Sequence, residues 1–234
     1  MRNYRFGKAV LWSAIGINVG IWAYWRYAYS LSRGSMADIL SGALKPNSSR
    51  LWPINFLNSN FLLNVDDVAQ RPWTVVTSAF SHQDIGHLAG NMFSLYAFGS
   101  VLLSVGITPV AFSSILLGSA VAGSFGFLYH SSTKQRVVDG FHRKSVNGLG
   151  ASGAVMGVGA AAALLRPTAS MLIFGVIPVP LFLLLGSYVY YDSYYMDDPS
   201  SMVGHAAHLG GAAFGAGAYF LVLRRYGGLL GRRW

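Results

Sequence analysis

Residues 204–215 read Gly-His-Ala-Ala-His-Leu-Gly-Gly-Ala-Ala-Phe-Gly, and this stretch decides how the chain folds. His208, Gly211 and Gly215 are spaced three and four residues apart, so a helix would carry them on one face. Gly211 and Gly215 also form a small-xxx-small pattern, which lets two helix backbones approach closely inside a membrane. The stretch therefore predicts a tightly packed membrane helix that brings the imidazole of His208 against a neighbouring helix.

The composition of the whole chain also indicates a membrane protein. Of the 234 residues, 53% are hydrophobic and only 11% are charged, and the mean hydropathy is +0.43. Soluble domains carry about 25% charged residues, which their surfaces require. A large soluble domain with a rich core is therefore strongly disfavoured. The chain has no cysteine, which excludes disulfide frameworks and thiolate metal sites.

Six apolar segments predict a bundle of membrane helices, since a span needs about 20 mostly apolar residues. The first segment is longer than the roughly 7–15 apolar residues of a signal peptide, which favours a retained helix. The fourth is too short to cross alone and is rich in Gly and Ala, which favours a central position. We predict one all-α membrane domain over 1–234, with a long polar loop at 31–72 between helices one and two. The predicted helices cover about 9–28, 85–105, 109–129, 152–165, 169–190 and 203–223.

The chain is basic, with 17 Lys and Arg against eight acidic residues, all of them Asp. Such an excess occurs in nucleic-acid-binding proteins and also in loops beside an anionic bilayer. Here the Lys and Arg flank apolar segments and do not line one polar face. We therefore predict contact with the lipid bilayer and no nucleic-acid partner. The positive charges divide almost equally between the two ends of the bundle, so they only weakly favour termini on the cytoplasmic or matrix side.

A serine opens the fourth predicted helix, within the segment Gly-Leu-Gly-Ala-Ser-Gly-Ala at 148–154. One interpretation of Ser152 is a helix N-cap, a position that serine favours. The other is a nucleophile whose oxyanion is stabilised by backbone N–H groups at the helix start. The segment is not the Gly-x-Ser-x-Gly elbow of soluble hydrolases, because Ala154 replaces the second glycine. Taken alone, this motif favours the cap.

Polar side chains also lie on the second and sixth predicted helices. His87 and Asn91 are four residues apart and share one helix face. A helical histidine pair can bind zinc, but the chain has no Glu and no Cys, and Asn is a poor zinc ligand. Oxyanion donors fit better, and we predict neither a metal nor a cofactor. On the sixth helix, His205 lies nearer the helix end than His208 and is interpreted as an interfacial histidine.

Together these residues supply the nucleophile, base and oxyanion site that acyl transfer requires. We predict Ser152 as the nucleophile, His208 as the base, and Asn91 with His87 as the oxyanion donors. No Asp or Glu is expected in the apolar stretches near His208, so the prediction is a Ser–His dyad. Four glycines are predicted to permit the close packing that assembles the site: Gly150, Gly153, Gly211 and Gly215.

The three motifs resemble those of the rhomboid family of intramembrane serine proteases. The matching residues are His82 with His87-Leu-Ala-Gly-Asn91, Gly150-Ala-Ser152-Gly153, and Ala207-His208-Leu-Gly-Gly211, in the family's order and on the corresponding helices. The double-proline segment at 174–180 is similar too. Within the family, residues 149–153 and 205–211 look closest to the mitochondrial inner-membrane members of the presenilin-associated rhomboid-like kind.

The resemblance implies a six-helix rhomboid-like bundle that hydrolyses peptide bonds of transmembrane protein substrates in a mitochondrial inner membrane. Two alternatives remain open. One is a rhomboid-like pseudoprotease that binds membrane proteins, which the presence of both Ser152 and His208 disfavours. The other is a small-solute transporter that uses intramembrane histidines as proton relays. It predicts internal repeats of the helix pattern, and the sequence contains none.

Overall fold

The computed structural model describes residues 2–33, 48–135, 146–173, 176–198, 201 and 203–229. This part of the chain is mostly helical, with two short antiparallel strand pairs. The helices are α1 (Arg2–Ser32), α2 (Ser48–Phe61), α3 (Thr74–Thr77), α4 (Ile85–Ser104), α5 (Pro109–Gln135), α6 (Ser152–Leu165), α7 (Leu181–Tyr194) and α8 (His205–Leu221). The strands are β1 (Leu63–Asn64), β2 (Asn147–Gly148), β3 (Ser170–Ile173) and β4 (Ile177–Pro180), and 3₁₀ turns lie at Ser78–Phe80 and Leu223–Tyr226.

Helix α6 lies at the centre of the bundle and packs against α4, α5, α7 and α8. Eleven of its 14 residues are buried, and most of the 14 are Gly, Ala or Val. Because these side chains are small, the surrounding helices approach its backbone closely. The short, Gly- and Ala-rich segment thus lies in the central position that its composition favours.

Two helices are long and apolar enough to cross a membrane, judged by length and composition alone. They are Arg2–Ser32 in α1 and Pro109–Thr133 in α5. Both extend beyond the predicted bounds: α1 begins before residue 9 and ends after 28, and α5 continues to Gln135. Helix α6 is apolar but shorter. The count of six membrane spans therefore remains a prediction.

The fifth predicted helix, at 169–190, is wrong in its first half. Strands β3 and β4 form a hairpin there, in which Met171 pairs with Val179 and Leu172 with Pro178. Pro178 and Pro180 have no N–H to donate to a helix, and β-branched residues favour extended backbone. The helix begins only after Pro180, which is its N-cap, and it continues to Tyr194, beyond the predicted end.

The predicted loop at 31–72 is not irregular throughout. Residues 34–47 lie outside the described residues, but 48–61 form helix α2. This helix packs on α1, where Leu57 is fully buried with Trp25 and Ala28. The Trp25 indole also donates a hydrogen bond to Ser81 Oγ at 2.8 Å. The end of α1 is thereby attached to the segment that leads into α4.

Candidate active site

The closest helix contact in the site region is a seam of four glycines, Gly153 and Gly157 on α6 and Gly211 and Gly215 on α8. A Cβ atom added at Gly211 would collide with the backbone carbonyl of Gly153, and one added at Gly215 with that of Gly157. The two backbones are therefore in direct contact, which larger side chains would prevent. We call this contact the glycine seam. It brings the first turn of α8 beside the first turn of α6.

Helix α5 closes on the opposite side of the same turn of α8. A Cβ atom at Gly210 would lie 2.6 Å from the carbonyl oxygen of Ala122, and one at Gly123 would lie 2.9 Å from that of Ala207. Both distances are shorter than real Cβ contacts, so neither position has room for a side chain. Backbone contacts thus hold α8 from two directions.

Above the seam, a cleft of about 760 Å³ contains the residues that the sequence singles out. Ser152, His208, His87 and Asn91 all line it. Ser152 is the first residue of α6 and is partly buried, and the N-cap is Ala151, which has no side chain to cap the helix. The interpretation of Ser152 as the N-cap therefore does not describe this structure.

The chain that leads into Ser152 is held at three points. Strand β2 pairs with β1, with Leu63 opposite Gly148. The Gly150 N–H donates to the Ser78 carbonyl at 2.9 Å, and the Ala151 N–H donates to His82 Nε2 at 3.3 Å. Gly150 has φ of +119°, and a Cβ there would lie 2.7 Å from His87 Cε1. Gly150 is thus required both by its backbone conformation and by the histidine beside it.

His82, His87 and Asn91 form a cluster on the other wall of the cleft. The Asn91 amide nitrogen lies 3.0 Å from the His87 carbonyl oxygen and 3.1 Å from His82 Nε2. Burial, and to a smaller extent His87, lowers the pKa of His82 to about 3, so this ring in the turn before α4 is neutral and can accept. Both amide hydrogens of Asn91 are therefore engaged within the protein in this structure.

Behind His208 lies a carboxylate, and the expectation that no acid accompanies His208 is wrong. His208 Nδ1 lies 3.0 Å from Asp192 Oδ2 and 3.1 Å from Oδ1. The Asp192 side chain is only 2% exposed. The fifth predicted helix ends at residue 190, two residues before Asp192. In the structure α7 continues to Tyr194, and this extension directs Asp192 toward α8.

The same carboxylate corrects the interpretation of His205. The sequence suggests an interfacial histidine there, but its side chain is only 3% exposed. His205 Nδ1 lies 2.6 Å from Asp192 Oδ1, and the Tyr191 ring lies at its edge, with 5.7 Å between ring centroids. A buried carboxylate is stable only when it is paired and hydrogen-bonded, and here two imidazoles provide that pairing.

The family of this chain follows from its similarity to known proteins. The profile of the rhomboid domain matches residues 69–225, which is more than half of the chain and includes Ser152, His208, His87 and Asn91. This chain belongs to the rhomboid family. It is therefore an integral membrane protein of a family that acts on membrane substrates in a bilayer.

Several rhomboid proteins of known name are similar to this chain. RHOMBOID-like protein 12, mitochondrial, from Arabidopsis thaliana is 33% identical over 211 residues, covering 85% of this chain and 61% of that protein. Rhomboid protein 1, mitochondrial, from Saccharomyces cerevisiae is 31% identical, covering 74% and 41%. The human presenilin-associated rhomboid-like protein, mitochondrial, is 32% identical, covering 60% and 35%. The chain thus spans less than two thirds of the length of each of these relatives.

The polar side chains of the rhomboid cleft define the chemistry that it could support. Within the described ranges, no group of three or more His, Cys, Asp or Glu is arranged to hold a metal ion. Ser152, His208, His87 and Asn91 bring a hydroxyl, imidazoles and an amide to the cleft, and the Asp192 carboxylate lies behind His208. This set matches acyl transfer, which needs a nucleophile, a base, a group that orients the base, and oxyanion donors.

Proposed function

We propose that this rhomboid protein is an intramembrane serine endopeptidase that hydrolyses peptide bonds of membrane-anchored proteins. One observation carries the proposal: Ser152 and His208 line one cleft, and the imidazole of His208 is bonded to a buried carboxylate. A serine becomes a nucleophile when a base is close enough to take its proton, and the base works best when a third group orients it. Ser152, His208 and Asp192 fill these three roles.

The hydrogen bonds suggest how the base is prepared. Asp192 accepts from His208, which keeps the proton of the neutral ring on Nδ1 and leaves Nε2 as the acceptor. His208 would take the Ser152 proton through Nε2 as Oγ attacks the scissile carbonyl. It would then donate that proton to the leaving amine. Asp192 would stabilise the imidazolium that exists between the two steps. The mechanism is thus a triad and not the predicted dyad.

The oxyanion would be bound at the start of α6. The backbone N–H of Ser152 lies in the first helical turn, where N–H groups have no intrahelical acceptor. His87 and Asn91 are the proposed side-chain donors, as the sequence suggests. Asn91 uses its amide hydrogens on His82 and on the His87 carbonyl in this structure. We therefore propose that substrate binding exchanges the bond between Asn91 and His82 for a bond to the oxyanion.

We further propose that six helices, α1 and α4 to α8, cross the bilayer, with the catalytic cleft at the end where α4, α6 and α8 begin. The relatives named above are all described as mitochondrial, and the presenilin-associated rhomboid-like motifs support the same location. We infer a mitochondrial inner-membrane protein. Its partners would be transmembrane protein substrates and the surrounding lipid.

The test uses purified full-length protein reconstituted in liposomes with a membrane-anchored reporter. Wild type should cleave the reporter and be labelled by a fluorophosphonate, and Ser152→Ala should do neither while remaining folded. His208→Ala should be equally inactive, and the double mutant no worse, because residues that act as a unit are not additive. Cleavage by Ser152→Ala would refute the protease assignment. A folded wild type that neither cleaves nor labels would favour a pseudoprotease.

A further inference from the structure

A second line of hydrogen bonds leaves Asp192 on the side away from the cleft serine. Asp192 Oδ1 lies 2.6 Å from His205 Nδ1, and His205 Nε2 lies 2.7 Å from Ser201 Oγ. The His205 and Asp192 side chains are 3% and 2% exposed, so both are shielded from bulk water. We call the pair Ser201 and His205 the outer arm. No step of the proposed mechanism uses it.

The donors in the outer arm can be assigned from the contacts. The Val203 N–H donates to Ser201 Oγ at 3.2 Å, which occupies one lone pair of that oxygen. The Ser201 hydroxyl hydrogen is then available for His205 Nε2. A ring that accepts at Nε2 carries its proton on Nδ1, which therefore donates to Asp192. Because a carboxylate can only accept, Asp192 places the His205 proton on Nδ1, and the Ser201 hydroxyl holds the other side of the ring by donating to Nε2.

The two imidazoles hold the carboxylate differently. The contact of His205 is short and involves Oδ1 alone, whereas the contact of His208 is divided almost equally between Oδ1 and Oδ2. The shorter contact is the stronger of the two, so His205 fixes the position of Oδ1, whereas His208 can donate to either oxygen. His205 is therefore the group that determines which edge of Asp192 faces His208.

We propose that His205 and Ser201 are positioning residues that orient Asp192 for catalysis. The proposal rests on the proposed triad, and it extends that triad by two residues: Ser201 holds Nε2 of the His205 ring, His205 orients Asp192, and Asp192 orients the catalytic imidazole. No bond is made or broken in the outer arm during the reaction. Its effect is to keep the base in one geometry, in which an error of about 1 Å can cost 10²-fold in rate.

Three substitutions at His205 separate positioning from packing. The amide nitrogen of asparagine can take the place of Nδ1, whereas that of glutamine reaches the place of Nε2. We expect His205→Asn to keep kcat within about threefold of wild type, and His205→Gln and His205→Ala to lose about tenfold or more. KM should stay unchanged in all three, because His205 does not line the cleft. Equal losses in the three variants, or losses confined to KM, would overturn the proposal.

Ser201→Ala tests the outer end of the arm, and Ser193→Ala is its matched control. Ser193 follows Asp192 directly on α7, but its hydroxyl bonds the Val189 carbonyl at 2.7 Å on the exposed side of the helix. Ser201→Ala should lower kcat by about threefold, because His205 then loses the hydrogen bond that holds its ring at Nε2. Ser193→Ala should leave kcat unchanged. A loss with Ser193→Ala equal to that with Ser201→Ala would contradict the arm.

A measurement that does not depend on proteolysis separates failure of the arm from failure of the protease assignment. Nitrogen-15 spectra of histidine-labelled protein in detergent report which ring nitrogen carries the proton, and the His205 signal is identified by its absence in His205→Asn. We expect the Nδ1–H tautomer in wild type and in Ser201→Ala, with the Nε2 resonance of His205 shifted in Ser201→Ala by the loss of its hydrogen bond. An Nε2–H ring at His205 in wild type would overturn the arm, whether or not the protein cleaves. A correct tautomer in an inactive wild type would refute the protease assignment alone.

Discussion

Helices α6 and α7 each supply a residue of the proposed triad, but they are held in opposite ways. Helix α6 has 11 of its 14 residues buried and meets α8 through the backbone contacts of the glycine seam. Helix α7 has only Leu181, Leu185 and Asp192 buried, and most of its other side chains are exposed. Near the cleft it contacts α8 through the hydrogen bonds that Asp192 accepts from His205 and His208, and through the Tyr191 ring beside His205.

The two helices therefore differ in how firmly their positions are fixed. The first turns of α6 and α8 are held at a fixed distance because their backbones touch and no side chain lies between them. The approach of α7 is set by polar contacts, which can break and re-form while the helices keep their fold. The nucleophile and the base therefore lie on the rigid part of the molecule, and the carboxylate that orients the base lies on a part that can move.

The largest effect should come from breaking the rigid side of the comparison. Gly211→Val adds a side chain where even a Cβ collides with the Gly153 carbonyl. We expect reporter cleavage to fall at least about 100-fold through misplacement of His208. Stability should fall by about 1–3 kcal/mol through overpacking. Cleavage rates and thermal unfolding in detergent would measure both effects.

Gly217→Val is the matched control for that substitution. It lies on the same helix, and no atom lies within 4 Å of a Cβ added there. It carries the same helix-propensity cost of valine without the collision. If Gly211→Val cleaves as fast as Gly217→Val, the glycine seam does not set the geometry of the base.

The next effect should come from the mobile side. In Asp192→Asn the volume is kept, but the amide can donate to His208 Nδ1 and so stabilise the wrong tautomer. We expect kcat to fall by at least about tenfold, with a smaller loss of thermal stability than in Gly211→Val. Asp197→Asn, at the exposed pair between Asp197 and His130, is the control and should cost less than about twofold. A stability loss as large as that of Gly211→Val would show that Asp192 is structural.

The smallest effect should appear on the outward face of α7. Tyr190 is 72% exposed, so Tyr190→Leu should leave cleavage within about twofold of wild type and leave unfolding unchanged. Tyr219→Leu on α8 is the contrasting variant, because Tyr219 is fully buried and donates to the Gly227 carbonyl at 3.2 Å. It should destabilise by about 1–3 kcal/mol. Similar shifts of the unfolding temperature in both variants would contradict the contrast between the exposed face of α7 and the buried side of α8.

The rigid side of the molecule could be predicted from the sequence because its signals are local. The spacing of His208, Gly211 and Gly215 places them on one face of a helix in any fold that contains it. The start of α6 at Ser152 follows from a small-residue segment that ends before Arg166-Pro167. Residues within one helical pattern need no knowledge of the neighbouring chain to be placed correctly.

The mobile side could not be predicted, because its features depend on partners distant in sequence. An apolar run such as 169–180 looks the same whether it forms a buried helix or a hairpin. The late start of α7 and its extension to Tyr194 together direct Asp192 inward. His205 in turn is buried because Asp192 reaches it. The wrong bounds of the fifth predicted helix therefore also hide the contact of Asp192 with His208 and the burial of His205.

The hairpin before α7 has a consequence for the lipid around the molecule. At about 1.5 Å per residue, the 14 residues of α7 extend about 21 Å, whereas the hydrocarbon layer is about 30 Å thick. The hairpin lies beyond the start of α7, and the outer edges of a two-stranded pair carry N–H and C=O groups that hydrocarbon cannot satisfy. If α7 crosses the bilayer as proposed, we expect the bilayer beside it to be thin, so that headgroups and water reach the hairpin. A single-pass substrate helix that approaches along α7 would then cross a thinner hydrocarbon layer than in the surrounding bilayer.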